Sequence, residues 1–366
     1  MQYRQFGNTD IKTSILGFGM MRMPKKGDGS FDEKWTIDTL RYAIDQGLTY
    51  VDTAYAYGES ERITGLALQD GYREKVTLAT KIPMGRMTCP EDFEKILNEQ
   101  LQRLQTDHID MFLLHALNRD SWEKAREFNV IAHAEQAITE GKIRHLGFSF
   151  HDDLDTFRQI LNGYDKWAFC QIQLNYMDVS YQAGLQGLQE AYEKGLAVVI
   201  MEPLRGGTLA SVPEDVAAML PGKPVESALG FLWDRKEVSV VLSGMSSLEQ
   251  VQENLTLADA ARVGMLTEEE KQQILNAGDR MRQALNIPCT GCDYCNVCPQ
   301  GIAIPKIFTI RNQMRLDGDH VGAQEAYKAL GDQDAASCIG CGACAQVCPQ
   351  HIDLPEKLKK IHEGLA

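Results

Sequence analysis

The stretch Val51-Asp52-Thr53-Ala54-Tyr55-Ala56-Tyr57-Gly58-Glu59-Ser60 carries an apolar strand into a carboxylate and, five residues later, into a tyrosine. A strand that ends in Asp and turns through Gly58 sets Asp52 and Tyr57 at the rim of a sheet. In parallel α/β folds such rims hold active sites. Taken alone, these residues fit a capped strand followed by a packed tyrosine equally well. The surrounding elements decide.

Upstream lies an apolar run at 15–19 and an amphipathic one at 33–46; the quoted stretch then supplies a strand at 48–52 and a helix at 60–69. The order is βαβα. Downstream the alternation continues through strands at 76–81, 109–115, 145–149, 169–174, 197–201 and 238–243. Helical patterns fall at 91–104, 121–140, 153–161, 184–194, 225–234 and 247–259. Eight strand candidates over roughly 270 residues match the size of a closed parallel barrel. An open doubly wound sheet is the competing architecture, but Gly17-Phe18-Gly19 runs into Met20-Met21-Arg22 and forms no Gly-x-Gly-x-x-Gly turn. Residues 3–14 read as a hairpin around Gly7-Asn8-Thr9-Asp10 that plugs or covers something. A helix at 267–285, opened by the capping box Thr267-Glu268-Glu269-Glu270, closes this part before Pro288.

Composition bounds the function. The chain has 366 residues, 44% apolar and 24% charged, the balance of an ordinary globular protein. Its net charge of −14, with no basic stripe, excludes a nucleic-acid footprint and disfavours an anionic membrane surface. No apolar run approaches the ~18 residues of a membrane helix. The N-terminus lacks signal or transit character, so a cytoplasmic location is expected.

Two more polar residues end apolar runs as Asp52 does: Lys81 in Thr77-Leu78-Ala79-Thr80-Lys81 and His115 in Asp110-Met111-Phe112-Leu113-Leu114-His115. In a barrel the ends of the second, third and fourth strands are neighbours, so Asp52, Tyr57, Lys81 and His115 can converge. A snorkelling lysine or a core histidine explains any one of them; the four together point to carbonyl reduction. A free tyrosine, with a pKa near ~10, is a poor acid, but a lysine cation beside it stabilises the phenolate. Asp52 would hold Lys81, His115 would orient a carbonyl oxygen, and Tyr57 would act as general acid or base.

With their strand contexts these four residues resemble the catalytic tetrad of the aldo-keto reductase family. The resemblance covers residues 1 to about 285 and extends to Leu101-Gln102-Arg103-Leu104-Gln105-Thr106-Asp107-His108-Ile109-Asp110 and Gly141-Lys142-Ile143-Arg144-His145-Leu146-Gly147-Phe148-Ser149. It implies a (β/α)8 TIM barrel and hydride exchange between a nicotinamide cofactor and an aldehyde or ketone. It also implies nicotinamide contacts at Met20, Ser149, Gln171 and Met201. Phe150 stands where the family has asparagine, and Met201 where an aromatic residue often stacks. Glu202, Pro203, Leu204, Arg205 and Gly206 resemble the loop over the pyrophosphate. Ser243, Gly244, Ser246, Gln250, Glu253 and Asn254 resemble the segment holding the adenosine end. No Lys or Arg occurs from 243 to 254, where a 2'-phosphate would want charge-assisted donors, so NADH is favoured over NADPH.

Eight of the ten cysteines lie after residue 288. They form Cys289-x2-Cys292-x2-Cys295-x2-Cys298-Pro299 and Cys338-x2-Cys341-x2-Cys344-x3-Cys348-Pro349. The second is the ferredoxin run for a 4Fe-4S cluster; zinc is the competing ligand. The segments Pro299-Gln300-Gly301-Ile302-Ala303-Ile304-Pro305 and Pro349-Gln350-His351-Ile352-Asp353-Leu354-Pro355 repeat each other, so the module reads as duplicated. In two-cluster ferredoxins the fourth cysteine of each run serves the other cluster. That rule would group Cys289, Cys292, Cys295 and Cys348, and Cys338, Cys341, Cys344 and Cys298. Helical patterns at 305–316 and 323–330 make the module a small, mainly α-helical ferredoxin-like domain. The expected division is therefore a reductase barrel over 1–285 and a dicluster domain over 286–366. Clusters move one electron and hydride two, so the clusters either exchange electrons with a ferredoxin-like carrier or only brace the chain. A redox-sensing or electron-transfer scaffold on a non-catalytic barrel is the alternative function.

Overall fold

Ten strands form in the computed structural model, which describes residues 1–366: β1 (Tyr3–Gln5), β2 (Lys12–Ser14), β3 (Leu16–Gly19), β4 (Tyr50–Asp52), β5 (Thr77–Pro83), β6 (Ile109–Leu117), β7 (Ile143–Phe150), β8 (Phe169–Gln173), β9 (Ala197–Met201) and β10 (Val240–Ser243). β1 and β2 pair antiparallel. The other eight close into a parallel barrel in the order β10-β3-β4-β5-β6-β7-β8-β9. The apolar runs read from the sequence become these strands because each is buried on both faces, as in Ala197-Val198-Val199-Ile200. Helices between them cover the outside. Asp92–Leu104, for example, buries Phe93, Ile96, Leu97, Gln100 and Leu104, the spacing of one helical stripe.

The N-terminal hairpin closes one end of the barrel. Phe6 is fully buried, 5.8 Å from the Tyr50 ring and 5.5 Å from Phe169. Tyr50, Phe169 and Ala197 are the first residues of their strands, so this is the N-terminal floor. Gly7 has φ +54°, and a Cβ there would lie 2.4 Å from Ala197 N; the backbone reaches the floor only because it has no side chain. Asn8 N donates to Gly195 O at 3.0 Å.

Two elements of the barrel part depart from the sequence reading. The helix expected over 121–140 is two helices, Arg119–Glu127 and Val130–Thr139. Asn129 between them takes φ +54°, a left-handed conformation that asparagine tolerates, and this ends the first helix. The fourth barrel strand runs past His115 to Leu117 through a register shift after Leu114.

The chain divides into two compact units, Met1–Pro203 with Leu229–Thr267, and Leu204–Ala228 with Glu268–Ala366. The second contains helices Glu268–Ala284, Ile304–Asp317, His320–Lys328 and Leu354–Leu365. Its core gathers Ile304, Ile307, Phe308, Tyr327, Leu354, Leu358, Ile361 and Leu365. The Tyr327 hydroxyl accepts from Ala335 N at 3.0 Å and lies 2.9 Å from His362 Nδ1. The last helix went unread in the sequence although Asp353 caps it, accepting from Glu356 N. No helix is long and apolar enough to cross a membrane.

Truncating Phe6 to Ala removes the plug's anchor and should cost ~3–5 kcal/mol. A drop in the unfolding free energy of that size is expected from denaturant titration; a loss below about 1 kcal/mol would mean that the hairpin only covers the floor.

Candidate active site and cysteine centres

The register of three adjacent strands lifts Asp52, Lys81 and His115 in steps. Asp52 pairs with Ala79, Lys81 with Leu113, and Pro83 with His115. Asp52 therefore stands level with the residue two before Lys81, and Lys81 level with the residue two before His115. With side chains alternating in and out, all three face the same way. Lys81 is fully buried and donates to Asp52 Oδ1 at 2.6 Å and to Thr53 O at 2.8 Å. Its Nζ lies 5.0 Å from the centroid of the half-buried Tyr57 ring, within cation–π range. The Tyr57 and His115 rings meet edge to face, with centroids 5.7 Å apart and planes at 82°. The structure thus brings together the four residues that the sequence singled out.

Burial sets the electrostatics. It pushes the Lys81 ammonium below its ordinary range, opposed by the carboxylate of Asp52. It raises Asp52, opposed by Lys81. His115 is held well below the usual histidine value, first by burial and then by the charges of Lys81 and His151, so it is neutral at pH 7. A neutral imidazole can offer one donor and one acceptor.

A second layer, not legible in the sequence, holds Lys81 in place. Glu61 is fully buried and accepts from Thr80 Oγ1 and Gln100 Nε2, both at 2.7 Å. Gln100 also donates to Lys81 O at 3.1 Å. These groups fix the strand behind the lysine. A charged residue in the first turn of a helix after the Tyr57 loop was the only sequence signal, and it reads as an ordinary helix start.

The residues matched to a nicotinamide site lie at or just beyond the C-terminal ends of β3, β7, β9 and β10, with Gln171 in the middle of β8. Ser149 is buried and accepts from Ala116 N at 2.7 Å. Gln171 is buried too; its Nε2 lies 3.6 Å from Met201 Sδ, and its Oε1 has no protein partner. An orphaned buried amide oxygen beside a serine suits a carboxamide. Phe150 points the other way, fully buried against Phe157 at 5.1 Å, so the replacement of asparagine serves the core. Met20 is buried and its carbonyl accepts from Ser60 Oγ.

Beyond β9, Glu202 takes φ +55°. Asn175 Nδ2 donates to its carbonyl at 3.1 Å, and Arg22 pairs with its carboxylate at 3.2 Å. Pro203, next in the chain, is buried. Beyond β10, Ser243 accepts from Asn254 at 3.0 Å and Ser246 N donates to Gln250 Oε1 at 2.8 Å. Glu253 is exposed. The stem of Arg22 runs beside Gly244, 3.2 Å from where a Cβ would be; the sequence reading did not weigh this arginine. Leu204, Arg205 and Gly206 open the second unit, where Arg205 and Gly206 take φ +49° and +65°.

Within the second unit the cysteines surround two cavities. One, of about 320 Å³, is lined by Cys289, Cys292, Cys295 and Cys348. The other, of about 280 Å³, is lined by Cys298, Cys338, Cys341 and Cys344. Ile304 lines both. The fourth cysteine of each run has crossed to the other cavity, as the ferredoxin rule anticipates. Burial, with the neighbouring Cys292, Cys289 and Cys348, pushes the Cys295 thiol up to about 12. Four thiols line each of the two spaces, the number and type of donors that a 4Fe-4S cluster takes. Cys170 is buried in β8, and Cys89 stands apart.

Two family models match the chain in succession. A model of the Aldo/keto reductase family matches residues 15–276, and a 4Fe-4S dicluster domain matches residues 288–352. The aldo-keto reductase YhdN of Bacillus subtilis is 34% identical over 172 residues, 44% of this chain and 51% of that one. The chain therefore spans about half the length of that relative. An NADH-specific methylglyoxal reductase of Escherichia coli is 28% identical over 229 residues, 56% of this chain and 67% of that one. The holo form of an aldo-keto reductase from Bacillus halodurans superposes with a TM-score of 0.65 at 26% identity, covering 76% of this chain and 96% of that one.

The histidine makes a pH prediction. Because His115 binds its proton less readily folded than unfolded, the unfolded chain takes up the extra proton, and stability falls as pH drops through about 6.5. Relative to a His115→Asn variant, the wild type should lose up to ~1.4 kcal/mol per pH unit below that point and hold a constant difference above it. Parallel slopes in denaturant titrations from pH 7.5 to 5 would show that His115 titrates normally.

Proposed function

The chain belongs to the aldo/keto reductase family, and from that premise we propose that it is an NAD(P)H-dependent oxidoreductase interconverting an aldehyde or ketone and its alcohol, with two 4Fe-4S clusters in its C-terminal part. The observation that carries the reading is the buried Lys81–Asp52 contact set beneath the Tyr57 ring beside a neutral His115. Residues 1–285 form the catalytic part and 286–366 the cluster part. When bound, the nicotinamide supplies or accepts the hydride and the clusters supply one-electron chemistry.

The chain's own residues handle the proton. Tyr57 Oη gives a proton to the carbonyl oxygen as the carbon gains hydride, so the product is the neutral alcohol and the enzyme is left with a phenolate. Lys81 stabilises that phenolate, and Asp52 keeps the lysine from drifting toward solvent. His115, held neutral, donates to the carbonyl oxygen and orients it. In the oxidative direction Tyr57 takes the proton back.

Ser149 and Gln171 would hold the carboxamide, with Met20 and Met201 beside the ring. Glu202, Pro203, Leu204, Arg205 and Gly206 would follow the pyrophosphate. Ser243, Gly244, Ser246, Gln250, Glu253 and Asn254 would take the adenosine end. NADH is the preferred form in this reading, because the segment from 243 to 254 has no cation and the nearby Arg22 is engaged by Glu202. Cys289, Cys292, Cys295 and Cys348 would hold one cluster; Cys298, Cys338, Cys341 and Cys344 the other. A ferredoxin-like carrier is the electron partner proposed for the second, where Cys341 is exposed and Ile339 is 64% exposed. A cytoplasmic location fits this chemistry.

Anaerobically purified protein should contain about eight irons with matching labile sulfide and bind NADH more tightly than NADPH. Tyr57→Phe should lower kcat by ~10²–10⁴ while leaving nicotinamide affinity unchanged. Full activity in that variant would remove Tyr57 from the proton step, and iron without nicotinamide binding would favour the sensor or electron-transfer scaffold.

A further inference from the structure

The catalytic histidine sits in an irregular piece of strand. Leu114 pairs with Phe148 and Leu117 with Phe150, so His115 and Ala116 together stand opposite the single residue Ser149. That arrangement is a β-bulge, which is rare between parallel strands and recurs beside active sites, where it re-aims a side chain. Ala116 has φ +52°, a left-handed conformation that a residue with a Cβ adopts only when its surroundings insist. The group that insists is Ser149, whose Oγ accepts the Ala116 N–H at 2.7 Å. Beyond it, His151 N donates to Leu117 O at 2.9 Å and returns the strands to register.

We propose that Ser149 is a positioning residue for His115: its oxygen clamps the Ala116 amide and holds the bulge in the form that presents the imidazole to the carbonyl. This rests on the assignment of His115 to the carbonyl-binding site. A hydroxyl that accepts from a backbone N–H still has its own proton to give. The same side chain can therefore clamp the bulge and donate to the nicotinamide carboxamide. Cofactor recognition and histidine placement then share one oxygen, and a change at Ser149 acts on both. The strain at Ala116 gives the arrangement a second handle, because glycine adopts a positive φ without steric cost.

The test separates the clamp from cofactor binding and from turnover. In the cluster-loaded, nicotinamide-free chain, the Ala116 amide is followed by hydrogen exchange and the His115 ring by NMR, in Ser149→Ala, Ser149→Thr and Ser149→Ala/Ala116→Gly. Ser149→Ala should speed Ala116 exchange at least about tenfold and move the His115 resonance. Ser149→Thr, which keeps the oxygen, should leave both near wild type. Adding Ala116→Gly should return the His115 resonance toward its wild-type position. In turnover at saturating nicotinamide, kcat should fall roughly ten- to a hundredfold in Ser149→Ala and recover in part in the double variant. An unchanged His115 resonance with only the nicotinamide KM raised would overturn the proposal, leaving Ser149 a carboxamide ligand. A shifted resonance that Ala116→Gly does not restore would overturn it as well. If no carbonyl is turned over by any form, the proposed function fails, and the exchange and NMR measurements still decide the clamp.

Discussion

Everything in the barrel's reactive end depends on one buried contact, that between Lys81 and Asp52. An ammonium with no solvent exposure is stable only where its partners are within reach at once, and here a carboxylate and the Thr53 carbonyl meet it. Removing either charge would strand the other in a low-dielectric interior. The contact is thus a poor contributor to stability for its size, and it makes sense as a chemical device. It keeps a positive charge fixed under a tyrosine ring, a place from which a solvated lysine would escape. The surrounding structure follows from that demand. Three strands are staggered so that their inward residues rise in steps, and Glu61 and Gln100 secure the backbone that carries the lysine.

What could be read in the sequence was what repeats or clusters. The eight-fold alternation of apolar strand and amphipathic helix is a periodic signal, and the closed barrel follows from it. Asp52, Lys81 and His115 were visible because each is polar at the end of an apolar run. The cysteines were visible because their spacing is metric, and even their exchange between the two cavities followed from a known rule. Hidden features were those decided by single backbone torsions or by contacts distant in the chain. Nothing in Leu114-His115-Ala116-Leu117 announces a bulge, since alanine gives no hint of a positive φ. Asn129 ended a helix that its neighbours would have continued. Arg22 reaches Glu202 across 180 residues, and no local pattern marks that pairing.

The replacement at position 150 shows how a departure from a family pattern can mislead when read without the fold. Strand alternation sends Ser149 toward the barrel interior and Phe150 outward, where it joins Phe148 against Phe157. The phenylalanine therefore measures packing between β7 and its helix. Under the proposed function the carboxamide contacts fall to Ser149 and Gln171, whose Oε1 is buried with no protein partner.

The two cysteine runs and the segments that follow them, 299–305 and 349–355, resemble each other, but they do not divide into two independent halves. Because Cys298 and Cys348 have traded places, the first run of four cysteines, although it contains the number that one cluster needs, surrounds no cavity by itself. Each half lends a thiol to the other, with Ile304 as the wall they share. With clusters bound as proposed, segments 40 and more residues apart would be tethered at two points, and a break in the intervening helices would leave both sets of thiols incomplete at once. A gene fragment encoding one repeat would thus yield neither a half-module nor a single-cluster protein, and shuffling of this module between chains can succeed only when both runs travel together.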